Sequence, residues 1–116
     1  MLKVYFKPNC ATCQTALGLL KKNTKEDYEL IEYLVEVPTE KEIREILKML
    51  GMKAEQLVRK KEPLYKEKFE AQSRQFKEKD WINMMLKNPI LIDRPIVVKD
   101  GKAIIGRPPE KILELI

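Results

Sequence analysis

Apolar and polar residues alternate at the start of the chain. Leu2, Val4 and Phe6 are set against Lys3 and Tyr5, and this period of two predicts a strand. Beyond Cys10 the spacing changes to that of a helix, with Ala16, Leu17, Leu19 and Leu20 leading into Lys21 and Lys22. A second strand is expected over 28–35, a segment rich in aromatic and branched residues that ends before Pro38. Strand, helix and strand joined by a short crossover predict parallel pairing. From Thr39 the pattern is again helical. Thr39 with Glu42 makes a capping box, Ile43, Ile46, Leu47 and Leu50 form one apolar stripe, and Gly51 ends the helix. Shorter helical pieces are expected over 54–59, 63–71 and 80–87, with Asp80 as the N-cap of the last, Pro89 as its stop, and Trp81, Met84 and Met85 as core. Two short strands, 95–99 and 103–105, flank Asp100-Gly101, a dipeptide suited to the left-handed turn of a tight hairpin. Pro108 and Pro109 open a closing helix through Leu115.

The order is therefore β-α-β, a helical insertion over about 39–88, then β-β-α. It describes an α/β fold: a thioredoxin-like mixed sheet of about four strands with an insertion between its halves. At 116 residues, 44% of them hydrophobic, the chain is long enough for one ordinary core, and a single domain over 1–116 is expected. No segment approaches a membrane-spanning length and the start lacks a signal-peptide pattern, so the expected location is cytoplasmic. The domain is expected to be a monomer. The net charge of +5 comes from lysines interleaved with glutamates. Without a basic helix carrying aromatics or a glycine-rich phosphate cradle, this charge reads as solvated surface, with neither nucleic acid nor membrane as a partner.

Chemistry concentrates at Cys10-Ala11-Thr12-Cys13, which holds the only two cysteines of the chain at a strand-to-helix turn. A thiol in the first turn of a helix faces unpaired backbone N–H groups and the positive end of the helix dipole, and both favour the thiolate. Thiols so placed ionise at about 3.5 to 7.5, against about 8.5 for a free cysteine. Two cysteines this close cannot staple distant parts of a fold, so they point to redox chemistry. They supply half of a tetrahedral zinc site, and the chain contains no histidine to complete it, so no metal is expected. The missing imidazole also leaves acid–base work to carboxylate, thiol or water. Of the five arginines, Arg94 and Arg107 stand at strand ends that reach the same edge of the sheet as Cys10. Arg59, before Lys60-Lys61, is not placed by this pattern. Arginine is the residue suited to planar, bidentate recognition of an oxyanion.

Five segments then show a resemblance. Phe6-Lys7-Pro8-Asn9-Cys10, Ile31-Glu32-Tyr33-Leu34, Val58-Arg59-Lys60-Lys61-Glu62-Pro63-Leu64-Tyr65, the run from Asn88-Pro89 through Asp93-Arg94-Pro95 to Val98, and Gly106-Arg107-Pro108-Pro109-Glu110 occur in order across nearly the whole chain. They resemble the glutaredoxin-coupled arsenate reductases (ArsC). The resemblance implies a thioredoxin-like fold with a helical insertion, a nucleophilic Cys10, and oxyanion-binding arginines at Arg59, Arg94 and Arg107. It also implies a cis peptide before Pro95. The implied reaction is attack of the Cys10 thiolate on arsenate, then reduction to arsenite by a thiol. Glutathione would be co-substrate, glutaredoxin or thioredoxin the electron donor, and no cofactor would be bound.

The chain departs from that pattern at two places. Where its most similar arsenate reductases carry a histidine ahead of the nucleophile, positions 6–8 hold none, so ionisation of Cys10 rests on the helix end and the arginines. Where they carry a serine and an arginine after it, this chain has Cys13 and Gln14. Cys13 is thereby a candidate resolving thiol that would close a Cys10–Cys13 disulfide. The same spacing occurs in Spx-type transcriptional regulators, which bind RNA polymerase and use the pair as a disulfide switch. Arg59 together with the Gly106-Arg107-Pro108-Pro109 segment favours the reductase.

Overall fold

The N-terminal alternation forms β1 (Leu2–Phe6), and the helical spacing after Cys10 forms α1 (Ala11–Asn23). The structure is a computed structural model and describes residues 2–116. Its contacts group the chain into two compact units, one made of the chain up to Glu36 with Arg94–Ile116, the other of Val37–Asp93.

In the first unit β1 pairs in parallel with β2 (Tyr28–Glu32) and antiparallel with β3 (Ile96–Lys99), and β3 pairs antiparallel with β4 (Lys102–Ile105). The strand order is β2-β1-β3-β4, a mixed α/β sheet as expected. In the hairpin Lys99 faces Lys102, which leaves Asp100 (φ 48°) and Gly101 (φ 81°) as a two-residue loop in the left-handed region. Right-twisted strands favour that geometry. The closing segment is a 3₁₀ helix, Pro109–Glu114, packed on α1. Leu2, Val4, Ala16, Leu20, Val97 and Ile112 form the buried cluster beneath it. This packing fixes the start of α1, and so the cysteine turn, against the strand ends.

The second strand is shorter than its composition predicts. It stops at Glu32, whose carbonyl accepts the N–H groups of Val35 and Glu36, both at 2.9 Å, and the chain turns. Val35 is 74% exposed, so its apolar character reports neither strand nor core. The turn carries Tyr33 into the interior, where it is buried.

The second unit is helical: α2 (Glu40–Leu50), α3 (Ala54–Leu57), α4 (Pro63–Lys68) and α5 (Glu78–Lys87), with 3₁₀ turns at Gln72–Gln75 and Pro89–Leu91. Thr39 Oγ1 accepts the Glu42 N–H at 3.1 Å and Glu42 Oε1 accepts the Thr39 N–H at 3.3 Å, closing the capping box, while Gly51 (φ 68°) supplies the left-handed end. Helix α5 packs against α2 and α3, with Trp81, Met84 and Met85 buried. Its N-cap is Lys77, not Asp80. Asp80 sits one turn inside and reaches back, its Oδ2 accepting the Lys77 N–H at 2.9 Å, so an acidic residue that reads as a cap is the third helical residue. No helix of the described residues is long and apolar enough to cross a membrane.

Candidate active site

Cys10 is the N-cap of α1, with extended backbone (φ −109°, ψ 116°). Its sulfur takes the role a serine oxygen plays at other helix starts, accepting the Cys13 backbone N–H at 3.4 Å. The loop before it is held by the Cys10 N–H on the Lys7 carbonyl (3.2 Å) and by Gln14 Nε2 on the Pro8 carbonyl (2.9 Å). Both cysteines are free and buried, Cys13 completely.

Two arginines meet this sulfur. Arg107 divides its guanidinium among three acceptors: Nε donates to the Arg94 carbonyl at 2.7 Å, Nη1 to Thr12 Oγ1 at 3.3 Å, and Nη2 to Cys10 Sγ at 3.6 Å. Gly106 makes this turn of the chain possible. Its N–H bonds the Pro95 carbonyl at 2.9 Å, and a Cβ there would lie 3.0 Å from Pro95 Cγ and from Ile112 Cγ2. Arg94 is 5% exposed, hydrogen-bonds the Cys10 sulfur, and directs Nη1 to Tyr33 Oη at 3.4 Å. Burial alone would weaken its charge, but Tyr33 and Cys10 more than offset that, and Arg94 stays a cation. The Arg94–Pro95 and Arg107–Pro108 peptides are both cis.

These neighbours make the two thiols unequal. Burial pushes Cys10 up, yet the Cys13 N–H and thiol, Arg94 and the charge of Arg107 together outweigh it, and the Cys10 thiol is lowered to about 7. Cys13 is pushed up to about 11, chiefly by burial. The Lys7 backbone hydrogen bond works against this rise, and the adjacent Cys10 sulfur adds to it. Near neutral pH the pair therefore titrates at Cys10, which passes from thiol to thiolate there, while Cys13 stays protonated as its thiol donor. An ionised sulfur beside two fixed guanidinium groups can attack an electrophile that arrives as an oxyanion.

Of the residues singled out in the sequence, Cys10, Cys13, Arg94 and Arg107 thus lie together in the first unit. Arg59 belongs to the second unit, where the Val58–Ile92 bridge brings it beside Asp93. There Nη1 pairs with Asp93 Oδ1 at 3.2 Å and Nε with Glu62 Oε1 at 3.3 Å. The sequence pattern missed Thr12, Tyr33 and Gln14. Thr12 stands in plain view in the first turn of α1, but its partner is distant in sequence. Tyr33 was hidden within a segment that reads as strand.

The Thr12 contact has a measurable consequence. Thr12→Val keeps the shape and removes the acceptor that holds Arg107, so the pH midpoint of the Cys10 thiol is expected to rise by up to about 0.7, the equivalent of a hydrogen bond worth about 1 kcal/mol. The pH midpoint of Cys10 alkylation reads this directly, and Thr12→Ser should restore it. An unmoved midpoint in Thr12→Val would show that Arg107 is oriented without Thr12.

Known proteins share this arrangement of sequence and fold. An arsenate reductase of Escherichia coli (strain K12) is 32% identical over 115 residues, covering 99% of this chain and 80% of that protein. An uncharacterized protein of the same organism, YfgD, is 45% identical over 116 residues, covering 99% of this chain and 96% of its own. The structure of an arsenate reductase from Vibrio cholerae superposes with a TM-score of 0.92 at 34% identity, covering 99% of this chain and 97% of that one. The ArsC family model matches residues 5–115. With a family match across nearly its whole length, and with relatives alike in both sequence and fold, the chain belongs to the ArsC family.

Proposed function

We propose that this protein reduces arsenate to arsenite, with Cys10 as nucleophile and Arg94 and Arg107 as the cations that hold the oxyanion. The observation that carries the reading is the Cys10 sulfur, set at the start of α1 with Arg107 Nη2 3.6 Å away and lowered to about 7. Arsenate brings negative charge to two guanidinium groups, which neutralise it without reorganising. A sulfur–arsenic bond forms as one arsenic–oxygen bond breaks, and that oxygen leaves as water. A second thiol then attacks the Cys10 sulfur. The sulfur–sulfur bond forms, the electron pair of the sulfur–arsenic bond passes to arsenic, and As(V) becomes As(III) while the sulfurs are oxidised to a disulfide. The thiol proton goes to the departing arsenite.

Cys13 is the nearest candidate for that second thiol, since its own N–H and thiol already bond the Cys10 sulfur. The product would be a Cys10–Cys13 disulfide, reduced by thioredoxin or glutaredoxin, with glutathione as the alternative attacking thiol. Arg59, implicated by the resemblance, is engaged by Glu62 and Asp93 and is given no role in this scheme.

The test is release of arsenite by purified protein supplied with arsenate and either glutathione with glutaredoxin or thioredoxin with its reductase. Turnover with at least one donor is expected, and none with either would overturn the assignment. Cys13→Ser should shift the preference from thioredoxin to glutathione. Unchanged rates with both donors would remove Cys13 from the cycle.

A further inference from the structure

We propose that the reduced Cys10–Cys13 pair is also a binding site for trivalent arsenic, with both sulfurs bonded to one arsenic atom. The choice of arsenic rests on the arsenate reading of this site, whereas the dithiol chemistry follows from the pair itself. Both sulfurs are free, and they stand three residues apart across the first turn of α1. The Cys13 N–H reaches the Cys10 sulfur at 3.4 Å, and the Cys13 thiol hydrogen-bonds that same sulfur. Two soft donors held on one helix turn, with the Cys13 backbone N–H on the Cys10 sulfur, need little reorganisation to bind one soft centre.

The number of donors selects the ligand. Zinc in a closed protein site takes four ligands in a tetrahedron. Among the described residues no group of three His, Cys, Asp or Glu gathers anywhere that could hold a metal ion, so this pair lacks partners for such a site. Trivalent arsenic is pyramidal and takes three bonds, of which two can come from Cys10 and Cys13 and the third from hydroxide or a small thiol. The reaction balances without redox change. Arsenious acid, As(OH)₃, exchanges two of its As–OH bonds for two S–As bonds, the two thiol protons leave with those hydroxyls as two waters, and arsenic stays trivalent. Entry is through Cys10, which retains 9% exposure while Cys13 has none. The first bond therefore forms at the thiolate and the second as an intramolecular closure, which is worth about 10²-fold or more over a single-sulfur adduct. In the proposed cycle the product could then return to the freshly reduced enzyme and slow it.

The experiment titrates fully reduced protein with phenylarsine oxide, whose arsenic offers two exchangeable valences, and follows intact mass and the count of reactive thiols. One arsenic per chain with both thiols lost, stable to millimolar glutathione, supports the site. Cys13→Ala should form only an adduct that glutathione removes. The unsubstituted protein oxidised beforehand to its disulfide should bind none, a control that does not depend on how a variant folds. Two reactive thiols remaining at stoichiometric probe, or equal glutathione resistance in Cys13→Ala, would overturn it. Because no turnover is involved, arsenic capture without arsenate reduction would sustain the site and sink the reductase, and the reverse result would do the opposite.

Discussion

Cys10→Ser is expected to lower arsenate reduction by at least about 10³-fold, the scale seen when the nucleophile of a concerted site is removed. Oxygen in place of sulfur fails at both steps. A serine hydroxyl stays protonated at neutral pH, so the Cys13 N–H and thiol, Arg94 and Arg107, which together lower the Cys10 thiol to about 7, have no anion to stabilise. An oxygen–arsenic ester, if formed, would leave the second thiol no sulfur to attack, and the electron pair could not pass to arsenic. Serine is a good N-cap, and its Oγ can accept the Cys13 N–H as the sulfur does, so α1 should keep its start. The thermal midpoint is therefore expected to change little while arsenite release in a single turnover disappears. Arsenite release by Cys10→Ser at more than a hundredth of the parent rate would remove Cys10 as the nucleophile.

How much of this was legible in the sequence depends on how far apart the interacting residues lie. The capping box at Thr39 and Glu42, the Gly51 stop and the Asp100-Gly101 hairpin are local, and their chemistry is written within a few residues. The placing of Cys10 at a helix start was equally local. The shortened β2 was not, because a strand and a turn can share the same composition, and the turn was set by backbone bonds to Glu32 that no side chain announces. That turn is also what delivers Tyr33 to Arg94, so the error over an element hid a member of the site. Asp80 shows the same limit at smaller scale. An aspartate serves a helix start equally well as the cap or as the residue that reaches back to it, and the two differ by a shift of three residues. For the arginines, sequence position could bring Arg94 and Arg107 to one sheet edge through the strand order. It said nothing about Arg59, whose placing beside Asp93 depends on an isolated bridge between Val58 and Ile92.

Arg107→Met is expected to cost about 10²- to 10³-fold in arsenate turnover at neutral pH, the range for loss of one fixed group that stabilises developing negative charge. Methionine keeps the aliphatic stem but removes the donors to Arg94, Thr12 and Cys10. Two components should separate by pH. The positive charge of Arg107 favours the Cys10 thiolate, so its loss raises the thiol from about 7 toward the value of a free cysteine. As pH rises through 7 the parent enzyme gains thiolate and the variant lags, with the gap closing once pH exceeds the variant's own midpoint. Alkylation of Cys10 should therefore become equally fast in both at high pH. Arsenate turnover should not recover in step, because the missing oxyanion contact is absent at every pH. Arg107→Lys divides the components in the other direction: it restores charge near the sulfur and most of the lowered midpoint, but a point charge cannot span three acceptors as the planar fork does. A lysine variant with the parent's alkylation midpoint and a turnover still depressed about tenfold or more would assign Arg107 to the oxyanion as well as to the thiolate. Full recovery of turnover in lysine would reduce its part to ionising Cys10.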